Sequence, residues 1–322
     1  MKLLWLAFGV LSVLCAAAQP NSSDKSNPTK AKTKSNTTTK KKNAPLEKTL
    51  LWEISGNGLT APSYLFGTMH LLCADDALLS INLKKAIKET DRIYFEIDMD
   101  DMSQMMGAIK YIRMNDNTRL SDLLTAEEYA RIKDYFQQHK TVMPFSMMER
   151  LKPYMLTSFI SESGMGCEKT NGMEMTIMQE ANKYDKEIKG LETAEFQAGL
   201  FDSIPYEKQA KELLQYIDSI DKYKGSTSEL VKVYRDQDLE KMEALTMKSE
   251  SGIGDYMDLL VYNRNRRWAD QLQTILKEKP TLVAVGAGHL PGENGMIMLL
   301  RKAGFTVKPL KNIPPQPKTK SA

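Results

Sequence analysis

The chain has 322 residues, with 44 Lys and Arg against 41 Asp and Glu and a formal net charge of +3 at neutral pH. Charge so nearly balanced, with no basic stripe interleaved with aromatics, excludes nucleic acid as a partner. Once a polar leader is set aside, roughly 270 residues remain, enough for one large α/β domain or a domain carrying a sizeable helical insertion.

Residues 1–18 read as a secretory signal peptide. Lys2 precedes an apolar run over 3–15, and Ala16-Ala17-Ala18 supplies a small-x-small cleavage site. The run is short for a bilayer span of roughly 20 residues, and Leu14 before Cys15 argues against a lipoprotein signal. Export to the periplasm or the cell surface is therefore expected. Residues 19–48 are rich in Asn, Ser, Thr, Lys and Pro and read as a disordered tether that cannot bury enough surface to fold. The folded domain is expected over 49–312, with a polar, disordered tail over 313–322 and no further transmembrane run. Cys73 and Cys167 remain after signal removal, so a disulfide is permitted in an oxidising compartment without being dictated. Cys73, three residues past His70, also invites a metal-ligand reading, against which stands an ordinary buried thiol.

Leu50 to Ile54, the glycine-rich Ser55-Gly56-Asn57-Gly58, and Ser63 to Phe66 predict two strands joined by a turn. Residues 78–89 place Leu79, Leu83, Ala86 and Ile87 on one helical face, and 92–98 return as a strand that Glu96 interrupts. A carboxylate there is costly unless paired, hydrogen-bonded or bound to a cation. The stretch 101–166 is methionine-rich and helical in pattern, with breaks at Asn115-Asp116-Asn117, Pro144 and Pro153. Its methionines either fill irregular gaps in a core or line a groove for an apolar or peptide substrate. A helix is expected over 172–184 with Glu174 in its first turn, then a strand over 187–191 ending at Glu192-Thr193, and a helix from about Glu195. Residues 206–279 are again helical, including 255–276, and hold Arg264-Asn265-Arg266-Arg267. Strand, helix and strand close the domain at 282–285, 294–303 and 305–308.

Only three histidines occur, and two of them end the same pattern: Gly67-Thr68-Met69-His70 and Gly286-Ala287-Gly288-His289. Each follows a short apolar run, so each histidine sits just past a strand's carboxyl end. Ligands collect at that edge of open α/β sheets, where glycine lets backbone approach a bound group. Two imidazoles there can share one metal or one substrate. The first and last parts mirror each other as strand, G-x-x-H, helix and strand. The expected fold is therefore mixed α/β: a central mixed sheet built from two half-repeats, with the large helical middle laid over the site. Plain alternatives stand beside each candidate. A loop histidine can be satisfied by hydrogen bonds, Glu96 can pair with Arg92 or Arg264, Glu174 can be favourable charge at a helix start, and 264–267 can be a solvated helix face. His139, between Gln138 and Lys140, reads as surface.

Phe66-Gly67-Thr68-Met69-His70 and Gly286-Ala287-Gly288-His289, with Phe95-Glu96, Leu151-Lys152-Pro153, Gly172-Met173-Glu174, Gly190-Leu191-Glu192-Thr193 and Arg264-Asn265, resemble the TraB/GumN family, which includes the Tiki-type secreted metalloproteases. The resemblance runs over 51–310. It implies the mixed α/β fold of the erythromycin-esterase and ChaN-like group, with paired histidines and acidic residues converging on one pocket. In Tiki-type members it also implies a divalent metal, manganese or cobalt. Carried onto this chain, the metal ligands would be His70, His289 and Glu96. The catalytic candidates are Glu96, Glu192 and Arg264, with Glu174, Asn265, Gly67 and Gly286 behind them. The substrate does not transfer.

These residue types suit that chemistry in their own right. An ion held by imidazoles and a carboxylate polarises a carbonyl and lowers the pKa of bound water, and mixed nitrogen and oxygen ligands suit manganese, cobalt or zinc. A further glutamate can act as general base and an arginine can stabilise an oxyanion. H-E-x-x-H and G-x-S-x-G are both absent from the sequence. The leading expectation is an exported metal-dependent hydrolase, a peptidase acting on peptide or protein. Its rivals are a metal-independent esterase with a histidine base and a non-enzymatic haem- or ligand-binding envelope protein.

Overall fold

Hydrophobic alternation and glycine-rich turns produce the expected hairpin: β1 (Leu51–Ser55) and β2 (Ser63–Thr68) pair antiparallel, with Leu51 opposite Phe66. The computed structural model describes residues 45–139, 141, 143–247 and 253–315. The expected signal peptide, most of the tether and the last part of the tail lie outside them. The end of the tether that is described is seated on the fold: the Leu46 N–H donates to Glu240 at 3.0 Å, and Lys48 Nζ stands 2.8 Å from Asp238.

Past β2 comes the two-residue β3 (Leu72–Cys73), then α1 (Ile81–Glu89), whose cap Ser80 accepts the Leu83 N–H at 3.0 Å. β4 (Arg92–Ile97) follows. The middle of the chain supplies α2 (Met102–Gly107), α3 (Ala126–Gln138), α4 (Phe145–Met148) and α5 (Pro153–Ser163). Thr125 and Glu128 close a capping box on α3, and Pro153 starts α5 where its missing N–H costs nothing. After β5 (Thr170–Asn171) come α6 (Met173–Ala181), β6 (Glu187–Glu192) and α7 (Ala194–Gly199). The long helical stretch expected over 206–279 is divided by turns into α8 (Tyr206–Asp218), α9 (Ile220–Arg235), α10 (Leu239–Met247) and α11 (Asn263–Glu278). A π-helical turn, Asp258–Tyr262, leads directly into α11. β7 (Thr281–Gly286), α12 (Met296–Lys302) and β8 (Thr306–Leu310) end the domain.

Six strands form one sheet in the order β6-β4-β7-β2-β1-β8, and β3 pairs with β5 in a small separate ribbon. β6, β4, β7 and β2 are mutually parallel, so their carboxyl ends share one edge. β7 enters between β2 and β4, with Thr68 opposite Gly286, and both G-x-x-H turns therefore leave the sheet side by side. Each half runs strand, G-x-x-H, helix and parallel strand, but the two crossovers travel in opposite directions. Right-handed connections then put α1 and α12 on opposite faces. α1 packs on α6, and α12 packs on α11.

The described residues form two apolar cores. One surrounds the sheet, with Trp52, Leu65, Phe95, Trp268 and Val285 among its buried members, and the other lies within the helical middle around Phe136, Tyr154, Phe201 and Leu213. Ile97, Ala194, Leu260 and Val261 belong to the second core although they adjoin the carboxyl edge of the sheet. The helical middle thus covers that edge, and the seam between the cores is where the polar residues gather. Among the described residues no helix is long and apolar enough to cross a membrane.

Candidate active site

Four parallel strands deliver four side chains to one edge. His70 follows β2, His289 lies in the turn after β7, Glu96 is the penultimate residue of β4, and Glu192 is the last of β6. Pairing of Thr68 with Gly286 and of Ile97 with Glu192 brings them together despite their separation in sequence.

Glu96 is the hub. Its Oε1 accepts the Gly286 N–H at 2.8 Å and stands 3.8 Å from His289 Nε2. Its Oε2 accepts from Arg264 Nη2 at 2.5 Å and from Gln197 Nε2 at 2.9 Å. A Cβ on Gly286 would lie 3.1 Å from Glu96 Oε1, so glycine is what lets the carboxylate reach the backbone N–H.

Arg264 comes from α11 and is fully buried. Its Nε and Nη2 both donate to Glu192 Oε1, at 2.9 and 2.5 Å. Its Nη1 donates to the Leu260 carbonyl at 2.9 Å and reaches His289 Nε2 at 3.3 Å. Leu260 lies in the π-helical turn, a wider coil often found at functional positions, and the guanidinium satisfies its carbonyl there. One turn further on, the Trp268 ring centroid lies 4.6 Å from the guanidinium carbon and 4.6 Å from the His289 ring centroid. A buried cation needs this many partners, because desolvation costs several kcal/mol per ion.

The tautomer of His289 follows from its neighbour. Asn265 Nδ2 donates to the carbonyls of His289 and Asn294, at 3.2 and 2.8 Å, which turns Asn265 Oδ1 toward His289 Nδ1 at 2.6 Å. Nδ1 therefore carries the proton, and the Nε2 lone pair faces Arg264 and Glu96. Burial, with Arg264 close by, outweighs the pull of Glu96 and lowers this imidazole to about 3, so it is neutral. Glu96 is pushed up by burial, but Arg264, with His70 and the Gly286 N–H, prevails and holds it well below the usual carboxylate range. Glu192 moves the other way: burial raises it and Arg264 offsets that only in part.

His70 is the most exposed of these groups, its side chain 19% accessible, and its Nδ1 lies 2.6 Å from Oε1 of the buried Glu174. Beyond that contact neither Glu174 oxygen has a hydrogen-bond donor among the described residues. Burial works against a charge on His70, but Glu174 and then Glu96 outweigh it and push the imidazole up to about 9.

Beside the first turn the Gly67 carbonyl accepts the Tyr234 hydroxyl at 3.0 Å. Of the alternatives, Glu96 pairs with Arg264, whereas Arg92 bonds Thr281, the Ile275 carbonyl and Glu278. A solvated face describes Arg266 but not Arg264, and Arg267 stands 3.4 Å from Glu192 Oε2. His139 is exposed at the end of α3, its Nδ1 2.8 Å from the Tyr135 carbonyl. Cys73 is joined to Cys167 in a disulfide and is not a metal ligand. Sequence reasoning missed Gln197, Trp268 and Tyr234. Trp268 had a signal, being four residues from Arg264 and so on the same helical face. Gln197, which bridges Glu96 and Glu192, had none.

A divalent cation finds two suitable donors: the neutral His289 Nε2 and the ionised Glu96 Oε1, close enough to share one ion. The buried, donor-poor Glu174 carboxylate adds negative potential beside His70. Among the described residues no three His, Cys, Asp or Glu side chains form a ready group. His289 and Glu96 thus supply two protein donors, one short of the three that commonly hold a catalytic ion.

The sequence model of the TraB/PrgY/gumN family matches residues 50–309. The chain is 23% identical to metalloprotease TIKI1 of Danio rerio over 80% of its own length and 62% of that protein, and 22% identical to metalloprotease TIKI1 of Homo sapiens over 80% and 61%. It thus spans about three fifths of the TIKI proteins it matches. It is also 23% identical to the uncharacterized protein YbaP of Shigella flexneri, over 79% of this chain and 97% of that one. No solved structure matches. With the family match covering nearly all of the folded region, the chain belongs to the TraB/PrgY/gumN family.

Proposed function

We propose that the protein is an exported hydrolase that cleaves peptide bonds with the help of a divalent metal, manganese or cobalt before zinc. The observation that carries this reading is the buried constellation of His289, Glu96, Arg264 and Glu192 at the shared edge of four parallel strands, with His70 beside it on the more exposed side. Similarity to the TIKI metalloproteases supports a peptide or protein as substrate, and the apolar run with its Ala16-Ala17-Ala18 site supports export.

When bound, the metal supplies a Lewis acid that polarises the scissile carbonyl and lowers the pKa of water. His289 and Glu96 would hold it. Asn265 fixes the His289 tautomer so that Nε2 is presented as a lone pair, and the Gly286 N–H and Arg264 keep Glu96 ionised. Glu192, whose affinity for a proton burial raises, takes a proton from water and returns it to the leaving amine. Arg264 holds both carboxylates and supplies fixed positive charge toward a developing oxyanion. His70, most open to solvent, orients the incoming carbonyl.

The test is a peptide-library digest with chelated protein, then with manganese, cobalt or zinc restored. Cleavage that vanishes on chelation and returns with manganese or cobalt is the expected result. Cleavage that survives chelation transfers the reaction to a metal-free mechanism, with His289 held in one tautomer by its bond to Asn265. Absence of cleavage under every condition, with a visible absorption band on adding haem, overturns the hydrolase reading.

A further inference from the structure

His70 lies two residues past β2, and from its far side it is held by a strap. The chain on either side of β3 runs antiparallel to the chain on either side of β5: Met173 N–H donates to the Met69 carbonyl at 3.0 Å, Leu72 lies opposite Asn171, Cys73 lies opposite Thr170, and Ala74 N–H donates to the Lys169 carbonyl at 2.9 Å. Beyond the ribbon one side carries His70 and the other Glu174, whose contact at 2.6 Å closes its inner end. The Cys73–Cys167 disulfide closes its outer end, with Cα atoms 5.8 Å apart. At the inner end a Cβ on Gly172 would lie 2.7 Å from the His70 carbonyl oxygen and 2.9 Å from Glu174 Oε2, so any larger residue forces the two arms apart.

Two strands of two residues each are marginal by themselves. Met69, Leu72 and Met173 pack the inner part of the ribbon into the sheet core, and the covalent link joins positions 94 residues apart at the outer end. Glu96 and Glu192 are residues of the main sheet, His289 lies in the turn after β7 and Arg264 on α11, all outside the ribbon. Loss of the disulfide therefore acts on one half of the site and spares the other. Both cysteines are partly exposed, which gives a reductant access.

We propose that Cys73, Cys167 and Gly172 are positioning residues for His70, so that reduction of the disulfide disables the site without unfolding the domain. The consequence for activity rests on the hydrolase reading, whereas the placement of His70 does not. An oxidising compartment would keep the strap fastened and a reducing one would release it.

Three histidines make the test direct. The full chain is treated with diethyl pyrocarbonate at one pH, and modification of His70, His139 and His289 is followed by peptide mass spectrometry. Samples are oxidised protein, protein reduced by a phosphine and desalted, the Cys73→Ser/Cys167→Ser pair, and Gly172→Ala with its disulfide intact. In the reduction the phosphine and water convert the disulfide to two thiols and the phosphine oxide. The expected result is a rise of about five-fold or more in the His70 rate in the last three samples, as its local protection is lost. His139 and His289 should keep their rates and far-UV circular dichroism its shape. Where a cleaved peptide is in hand, kcat falls with KM nearly constant. An unchanged His70 rate after reduction overturns the proposal, and so does an equal rise at all three histidines, which means general loosening. If no peptide is cleaved at all, the His70 rate still decides.

Discussion

Replacing Glu96 with glutamine tests the hub, and the structure sets the size of the effect. Oε1 accepts the Gly286 N–H, and Oε2 accepts from both Arg264 and Gln197. Glutamine has one oxygen, so either orientation of its amide points an NH2 at a donor already in place. One buried donor is left unsatisfied, at a cost of about 1–3 kcal/mol. The bond from Arg264 also loses its charge assistance. Glu192 still neutralises the guanidinium, so the full cost of breaking a buried ion pair, about 3–5 kcal/mol, is not reached. A net loss of about 2–4 kcal/mol lowers the melting temperature by about 4–16 °C for a domain of this size. On the hydrolase reading cleavage should fall about 100-fold or more, because the anion that balances Arg264, and is proposed to hold a cation, is gone. Melting is followed by circular dichroism, and activity by peptide cleavage with manganese added. An unchanged melting temperature refutes the hydrogen-bond reasoning. A lower melting temperature with full activity makes Glu96 a structural carboxylate and passes its role to Glu192.

His70→Ala and His289→Ala should each cost a similar factor in kcat/KM, and the double variant should be little worse than either, because groups acting as one unit do not add; multiplied losses would show two independent sites. Stability should depend on acid through His289, which burial holds at about 3 in the folded chain and which returns to about 6.5 on unfolding. The unfolded state then binds the extra proton between those values, so the His289 contribution is full above about 6.5 and declines as pH falls toward 3, by up to a few kcal/mol. His289→Asn should flatten the melting temperature against pH across that window, and an equal slope in both proteins would place the acid sensitivity elsewhere.

The edge on which the site is built was legible because its signals are local. Apolar runs marked the strands, and glycine followed by histidine marked where two of them end. Glu96 stood out as a carboxylate interrupting an apolar strand, and Glu192 as one at a strand's end. Strand order was not legible in the same way. β7 enters between β2 and β4 through pairings with residues about two hundred positions away in sequence, and nothing near residue 281 specifies them. The disulfide was open for a related reason: two cysteines of suitable number do not reveal that β3 and β5 pair beside them. Gln197 remained hidden because a glutamine in the first turns of a short helix has no periodic or chemical mark until two carboxylates face it.

Arg264 shows why residues read singly fell short. Helical spacing places Arg264 and Trp268 on one face of α11 and turns Arg266 away, so the sequence states which groups move together but not which face is buried. A lone guanidinium in that seam would cost more than apolar packing could recover, and the same holds for Glu96 or Glu192 alone. Each is buried because the others are. The arginine neutralises two carboxylates, the carboxylates keep it charged, and the π-helical turn puts the Leu260 carbonyl where the remaining guanidinium hydrogens need an acceptor. A solvated helix face and a structural carboxylate were each reasonable alternatives for one residue considered by itself. The solvated face fails for Arg264, and the pairing of Glu96 with Arg264 is found, because three strand ends and one helix bring the charges into a single enclosure. His289 can stay neutral there, with its lone pair facing an anion and a cation at once.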